Sequence, residues 1–133
     1  MSRSGYSEDC EQWDLIRWRG AVAAAIRGKR GQAFLLEMWK AMIALPEPKL
    51  IANSLVEQDG QVCALGSVAR ARGLDLSNID PENGDGMGTI FGIPDALAKE
   101  IMFMNDDWSK ETPEARWSRM KTWAENNLKP VEQ

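Results

Sequence analysis

The sequence predicts a mainly α-helical protein, folded as a single compact domain of about five helices. A chain of 133 residues has the length of one domain and can bury one hydrophobic core. Apolar residues make up 44% of it and charged residues 27%, which is typical of a folded globular protein. In most segments the apolar residues recur every three or four positions, the spacing of one helix face. We assign residues 10–128 to the domain, residues 1–9 to a flexible arm and residues 129–133 to a loose tail.

Two helices are predicted in the first third of the chain. Residues 10–27 combine alanines, which favour helices, with apolar residues at helical spacing. A basic turn, Gly28-Lys29-Arg30-Gly31, is predicted to end this helix, and its bases either meet a phosphate or complement the dipole at the helix C-terminus. Residues 32–45 are apolar on nearly every side, Ile43 included, so they should form the most buried helix. A short turn between the two makes them an antiparallel helical hairpin.

Residues 49–65 are the least regular segment. Two short apolar runs flank the turn signal Glu57-Gln58-Asp59-Gly60, which predicts one small β-hairpin pairing residues 49–56 with residues 61–65. A loop followed by a short helix is the competing interpretation. An isolated hairpin would need to pack on the helices to be stable.

Three further helices are predicted after this segment. Residues 64–72 form the first, in which Gly66 would admit the close approach of another backbone and Gly73 would cap the end. The second begins at Ile93-Pro94-Asp95, with proline at the tolerated first position. The third begins with Thr112 as its cap, followed by proline and glutamate. Between the first two lies an acidic, glycine-rich loop over residues 74–93, interpreted as flexible but long enough to be functional.

The residue content excludes the common catalytic sites. The chain has no histidine, which removes histidine-based triads and most zinc sites. Neither Cys10 nor Cys63 therefore has a histidine to activate it, and Cys63, between two apolar residues, should be buried. The glycine-rich loop matches neither a calcium-binding loop nor a phosphate-binding loop. We therefore predict a protein that is not an enzyme and that holds no cofactor or metal, although Glu100, Asp106 and Asp107 offer oxygens for a hard cation.

The charge is unevenly distributed along the chain. The net charge is −4, so the chain as a whole lacks the basic character of a nucleic-acid-binding protein. Residues 1–31 nevertheless hold six bases against four acids, and residues 75–107 hold eight acids against one base. This asymmetry fits either a dipolar molecule that attracts a charged partner or ordinary solvated faces. No segment approaches the ~20 apolar residues of a membrane span, and no signal-peptide core opens the chain; we expect a cytoplasmic protein without membrane contact.

Five blocks of sequence resemble a group of small phage and prophage proteins of unknown function. The blocks are MSRSGY at the start, RGKRGQAFL from Arg27, VCALG from Val62, IMFMNDD from Ile101 and TPEARW from Thr112. The resemblance implies a phage accessory protein in the cytoplasm of a bacterial host, and it assigns no catalytic residue.

Two binding hypotheses follow from these observations, and both leave the oligomeric state open. In the first, the protein binds a host bacterial protein, including a component of an antiviral defence system, without catalysing a reaction. Its candidate residues are acidic, amide or aromatic: Asp85, Asn105, Asp106, Asp107 and Trp108. In the second, the protein binds nucleic acid or a nucleotide through basic residues: Arg27, Lys29, Arg30, Arg70 and Arg72.

Overall fold

The mainly α-helical prediction is confirmed. The computed structural model describes residues 12–75, 86–106 and 110–129, and for residues 12–16 it describes the backbone alone. The described residues form six helices: α1 (Gln12–Arg27), α2 (Lys29–Ile43), α3 (Ala64–Arg72), α4 (Met87–Phe91), α5 (Asp95–Asp106) and α6 (Pro113–Asn127). Both α2 and α5 pack against α1, α3 and α6, and α4 packs on α5.

One hydrophobic core joins all of these helices except α1, whose Ala25 and Ile26 pack against it from outside. Its centre is made of side chains from α2, α3 and α5, and the most enclosed of them include Leu35, Met38, Leu65, Leu97 and Ile101. Burial of this apolar surface is the main force that holds the helices together. Cys63 is fully buried at the edge of this core, as the sequence predicts.

The boundary between α1 and α2 is shorter than predicted. Only Gly28 separates the two helices, and Lys29 and Arg30 belong to the first turn of α2 rather than to a four-residue turn. Gly31 explains the tight junction, since a Cβ atom at this position would overlap the Ala25 carbonyl of α1. The two bases therefore add to the positive end of a helix dipole and do not offset a negative one.

The predicted β-hairpin does not form within the described residues. Residues 49–63 make a folded turn held by a single antiparallel bridge between Val56 and Val62. The amide of Ile51 also donates to the Val62 carbonyl at 2.9 Å. Gly66 of α3 lies against the Leu55 carbonyl, where a Cβ atom would overlap it, so the predicted close approach is confirmed. The turn therefore packs directly on α3. These contacts with the helix hold it in place of the predicted pairing of residues 49–56 with residues 61–65.

Helix α4 falls in the segment that the sequence predicts to be a loop. It contains a single turn, ended by Gly92 in the left-handed conformation (φ 75°), and it buries Met87 and Phe91 in the core. A helix this short is stabilised by packing rather than by propensity. Gly73 caps α3 with φ 71°, and the Thr112 hydroxyl accepts the Ala115 amide of α6 at 3.1 Å; both predicted caps are confirmed.

Candidate functional site

A buried polar cluster, which we call the junction, joins α3, α5, α6 and the turn of residues 49–63. Its members are Asn105, Glu111, Arg116 and Arg119. Asn105 has no exposed surface. Its Oδ1 accepts the Ala64 amide in the first turn of α3 at 3.1 Å, and its Nδ2 donates to the Ile51 carbonyl at 2.8 Å. The Asn105 side chain thus satisfies two buried backbone groups, an amide and a carbonyl, that would otherwise need another hydrogen-bond partner such as water.

Two arginines of α6 complete the junction by binding the end of α5. Arg116, only 4% exposed, donates from Nε to the Asn105 carbonyl at 3.0 Å and from Nη1 to the Leu50 carbonyl at 3.1 Å. Arg119 donates from Nη1 to the Met104 carbonyl. The Met104 and Asn105 carbonyls lie in the last turn of α5, where a carbonyl has no partner within the helix. The arginines therefore satisfy them and also complement the negative end of the helix dipole.

Glu111 offsets one of the two positive charges of these arginines. Its two carboxylate oxygens accept from Nε and Nη2 of Arg119 at 2.8 and 2.9 Å, and Arg116 Nε lies 3.5 Å from Oε1. The hydrogen bonds from Arg119 lower the pKa of the Glu111 carboxyl from its ordinary value of 4.5, and the charges of Arg119 and Arg116 act in the same direction against the effect of burial. Both arginines of the cluster therefore contact the same carboxylate.

The junction changes the interpretation of the acidic candidates for partner binding. Asn105 lies inside the protein with its amide engaged, so it has no surface to offer a partner. The Oδ1 atom of Asp106 accepts from the Asn53 amide at 3.0 Å and from Asn105 Nδ2 at 2.9 Å. Asp85, Asp107 and Trp108 lie outside the described residues. The described part of this candidate set therefore has a structural role.

The outward face of α2 carries a line of exposed basic and apolar side chains, which we call the α2 stripe. Its members lie three or four residues apart and so share one helix face: Lys29, Ala33, Leu36, Lys40 and Ile43. All are exposed, Leu36 by 42% and Ile43 by 44%. The acid of α2, Glu37, lies to one side and binds Arg72. The stripe is therefore positive and apolar, with no carboxylate of its own.

Four bases meet where α1 passes into α2, at a site that we call the basic corner: Arg27, Lys29, Arg30 and Lys129. Lys129 reaches it because its amide donates to Gln32 Oε1 at 2.8 Å and its Nζ donates to the Arg27 carbonyl at 2.6 Å. Gln32 Nε2 in turn donates to the Asn127 carbonyl at 2.9 Å. At least the first residue of the predicted loose tail is thus attached to the domain, and residues 130–133 lie outside the described residues.

An open groove of about 420 Å³ adjoins the basic corner. It lies between α1 and α6, which both pack on α5. Its lining includes Arg19, Ile26, Arg27, Glu100, Trp123 and Asn127. Arg27 belongs to both the groove and the corner, so the two form one continuous surface.

The five basic residues of the nucleic-acid hypothesis separate into two groups. Arg27, Lys29 and Arg30 come together at the basic corner and are exposed. Arg72 instead binds both carboxylate oxygens of Glu37, at 2.7 and 2.6 Å, and its hydrogen bond lowers the pKa of that carboxyl. Arg70 points to the Gly60 carbonyl, 3.5 Å away. Arg72 is thus occupied by an internal ion pair, whereas Arg70 is exposed with only this long contact. The three bases at the corner form no ion pair among the described residues.

The sequence did not predict the exposed apolar residues of the α2 stripe or the residues that line the groove. Ile43 was expected in the core, but α1, α3 and α6 cover the other sides of α2 and leave it outside. Arg19 and Trp123 form a groove only because two helices distant in sequence pack on α5. The signal that could have found the stripe was the pair of lysines at 29 and 40, since a fully buried helix would not carry them on one face.

The described residues show neither a cluster of metal ligands nor a membrane-spanning helix. Within the described ranges, no group of three or more cysteine, aspartate or glutamate side chains is arranged to hold a metal ion, and Asp107 of the proposed oxygen cluster falls outside them. No helix in the part of the chain that the structure describes is long and apolar enough to cross a membrane.

Comparison with known proteins gives no further assignment. No family model, no curated protein and no solved structure matches this chain. Its function therefore has to be inferred from its own residues.

Proposed function

We propose that this protein is a phage accessory protein that binds a host bacterial protein through the α2 stripe, without catalysing a reaction. The single observation that supports this proposal is the exposure of Leu36 and Ile43 on one face of a helix whose other faces build the core. Scattered exposed apolar residues are normal on a protein surface. These two lie seven residues apart, the spacing with which a helix presents anchors to a groove on a partner.

The basic side chains of the stripe add selectivity to this apolar contact. Lys40 lies between Leu36 and Ile43, and Lys29 lies two turns before Leu36. A partner surface with an apolar patch bordered by carboxylates would therefore match both the apolar side chains and the positive charges of the stripe. A second copy of this chain is a poor partner, because two stripes placed face to face would bring their lysines together with no carboxylate of the stripe to offset them. The origin in a phage rests on the resemblance of the five sequence blocks. The inhibition of a host defence system is one form that binding to a host protein could take, and it is motivated by the small size of the chain and its lack of histidine.

The test is capture of the partner with variants that change only the stripe. The tagged protein would be incubated with lysate of its bacterial host, with and without nuclease, and any captured protein would then be purified and titrated against the same variants. Leu36→Glu with Ile43→Glu should weaken binding by about tenfold or more, since truncated or charged anchors at an interface centre cost the most.

A matched control is available on another element. Val56 is 46% and Leu74 41% exposed and both lie outside α2, so Val56→Glu with Leu74→Glu introduces the same two charges in place of apolar side chains of similar exposure. It should change the affinity by less than about twofold. Equal loss of binding in both variants would contradict the assignment of the stripe, and capture of nothing saturable would contradict protein binding altogether.

A further inference from the structure

We infer that the groove between α1 and α6, together with the basic corner, is a binding site for single-stranded nucleic acid. Proteins that bind single strands combine a positively charged groove, which follows the phosphates, with aromatic side chains on which bases stack. This surface has both features in one place. It shares Lys29 with the α2 stripe and otherwise uses different residues.

Most of the positive charge of the site comes from bases that form no ion pair among the described residues. In the described part of the chain the ion pairs use other cations: Lys49, Arg72, Lys99, Arg116, Arg119 and Lys121. Arg19 and Arg27 in the groove and Lys29 and Arg30 at the corner are exposed and lie outside all of these pairs. Against them the groove presents one carboxylate, Glu100.

The local excess of positive charge stands out against the acidic chain. Residues 17–43 hold six bases and one acid, a net charge of +5, while the whole chain carries −4. The single acid, Glu37, is bound to Arg72. A polyanion is therefore attracted to this side of the protein and repelled by the remainder, which fixes where it binds.

The aromatic element of the site is Trp123. It lines the groove and is half-buried, and it packs against the core, so its ring is held in place before any ligand arrives. Stacking on a fixed ring costs little ordering entropy. Arg19 and Arg27 lie eight residues apart on α1, about 12 Å along the helix axis, which spans about three or four steps of a stacked strand at ~3.4 Å each.

The aromatic lining favours a single strand over a duplex. The groove is open and has a volume of about 420 Å³. A stacked base pair has no free face to place on Trp123, whereas an unpaired base does. The recognition is expected to be tolerant of sequence, because every base can stack.

The experiment measures the affinity of the full chain for a labelled oligothymidylate of about 15 nucleotides by fluorescence anisotropy. Arg19→Glu should weaken binding about tenfold at low salt. Arg17→Glu is the matched control, because Arg17 is exposed on the same helix and outside the groove; it should change the affinity by less than about threefold. With both Arg19 and Arg27 replaced by alanine, the slope of log affinity against log salt should fall by about 1.4, the value for two lost phosphate contacts to a single strand.

A second pair of variants tests stacking separately from charge. Trp123→Phe keeps a ring and should retain binding within about threefold, while Trp123→Leu keeps apolar packing but loses the ring and should weaken binding about tenfold. Circular dichroism of each variant confirms that the helices are retained.

Four results would overturn the inference. These are absence of oligonucleotide binding at about 50 mM salt, equal weakening by Arg17→Glu and Arg19→Glu, equal affinity for duplex DNA, and displacement of the oligonucleotide by polyglutamate or by a mononucleotide at matched charge concentration. Unchanged binding by the uncharged variant Leu36→Ala with Ile43→Ala would show that the groove acts independently of the apolar part of the stripe, and loss of binding there would count against the groove as the site.

Discussion

The junction and the basic corner are both rich in arginine and lysine, yet the protein uses the charges in opposite ways. In the junction, Arg116 and Arg119 direct their donors to backbone carbonyls and to Glu111. At the corner, Lys29 and Arg30 are exposed on the first turn of α2 and lie outside the ion pairs of the described residues. The arginines of the junction are bound to groups inside the fold, whereas the bases of the corner are exposed to solvent and can contact a partner.

This contrast shows what distinguishes a structural charge from one available for binding. Burying an arginine is costly unless each donor finds an acceptor, and the junction meets that condition. An exposed arginine carries no such cost, and its removal should hardly affect folding. Stability measurements can therefore separate the two clusters before any partner is known.

The largest effect is expected at Arg116. Replacement by alanine would leave the Leu50 carbonyl without its donor and would remove one of the two arginines that contact Glu111 and the Asn105 carbonyl. The free energy of unfolding should therefore fall by about 3 kcal/mol. Arg27→Ala at the corner is the control and should change it by about 0.5 kcal/mol or less. Urea unfolding followed by circular dichroism measures both values. Similar values for the two variants would remove the distinction between the clusters.

A smaller effect is expected at Asn105, since it is neutral. Asn105→Ala would leave the Ala64 amide and the Ile51 carbonyl unsatisfied in the interior, which should cost about 2 kcal/mol. Asn126 is exposed on α6, and Asn126→Ala should be neutral or slightly stabilising because alanine favours a helix. The same unfolding experiment applies. A neutral result at Asn105 would mean that water satisfies the two backbone groups and that the side chain is free for another role.

The helices of this protein could be predicted from local sequence, because their signals are local. Apolar spacing located the helices, and Thr112 and Gly73 marked the beginning of α6 and the end of α3. The short helix α4 has no such pattern and forms because Met87 and Phe91 fit the core. The separation of α1 from α2 by one residue depends on the contact of Gly31 with Ala25, which periodicity does not reveal.

The sites were harder to predict because each depends on residues far apart in the chain. Asn105 was assigned to the surface, yet its partners Ala64 and Ile51 are 41 and 54 residues away. Lys129 reaches the corner through a contact with the Arg27 carbonyl, 102 residues away. The exposure of Ile43 depends on where three other helices pack. A sequence shows which residues are charged, but only the fold shows which charges are already neutralised.

The smallest expected effect concerns pH and provides the last comparison of the two clusters. The pKa of Glu111 is lower in the folded protein than its ordinary value of 4.5, so ionised Glu111 stabilises the fold above that value. This contribution is lost as the pH falls through the folded-state pKa, because the unfolded chain then binds the proton more readily. Glu111→Gln should lower the free energy of unfolding at neutral pH by about 1 kcal/mol, and it should flatten the decline below pH 4.5. Glu125, paired with Lys121 on the surface, is the control: Glu125→Gln should change the free energy of unfolding at neutral pH by about 0.5 kcal/mol or less. If Glu111→Gln had as small an effect, the two junction arginines would not need this carboxylate. They would then differ from the bases of the corner only in their hydrogen bonds to the backbone.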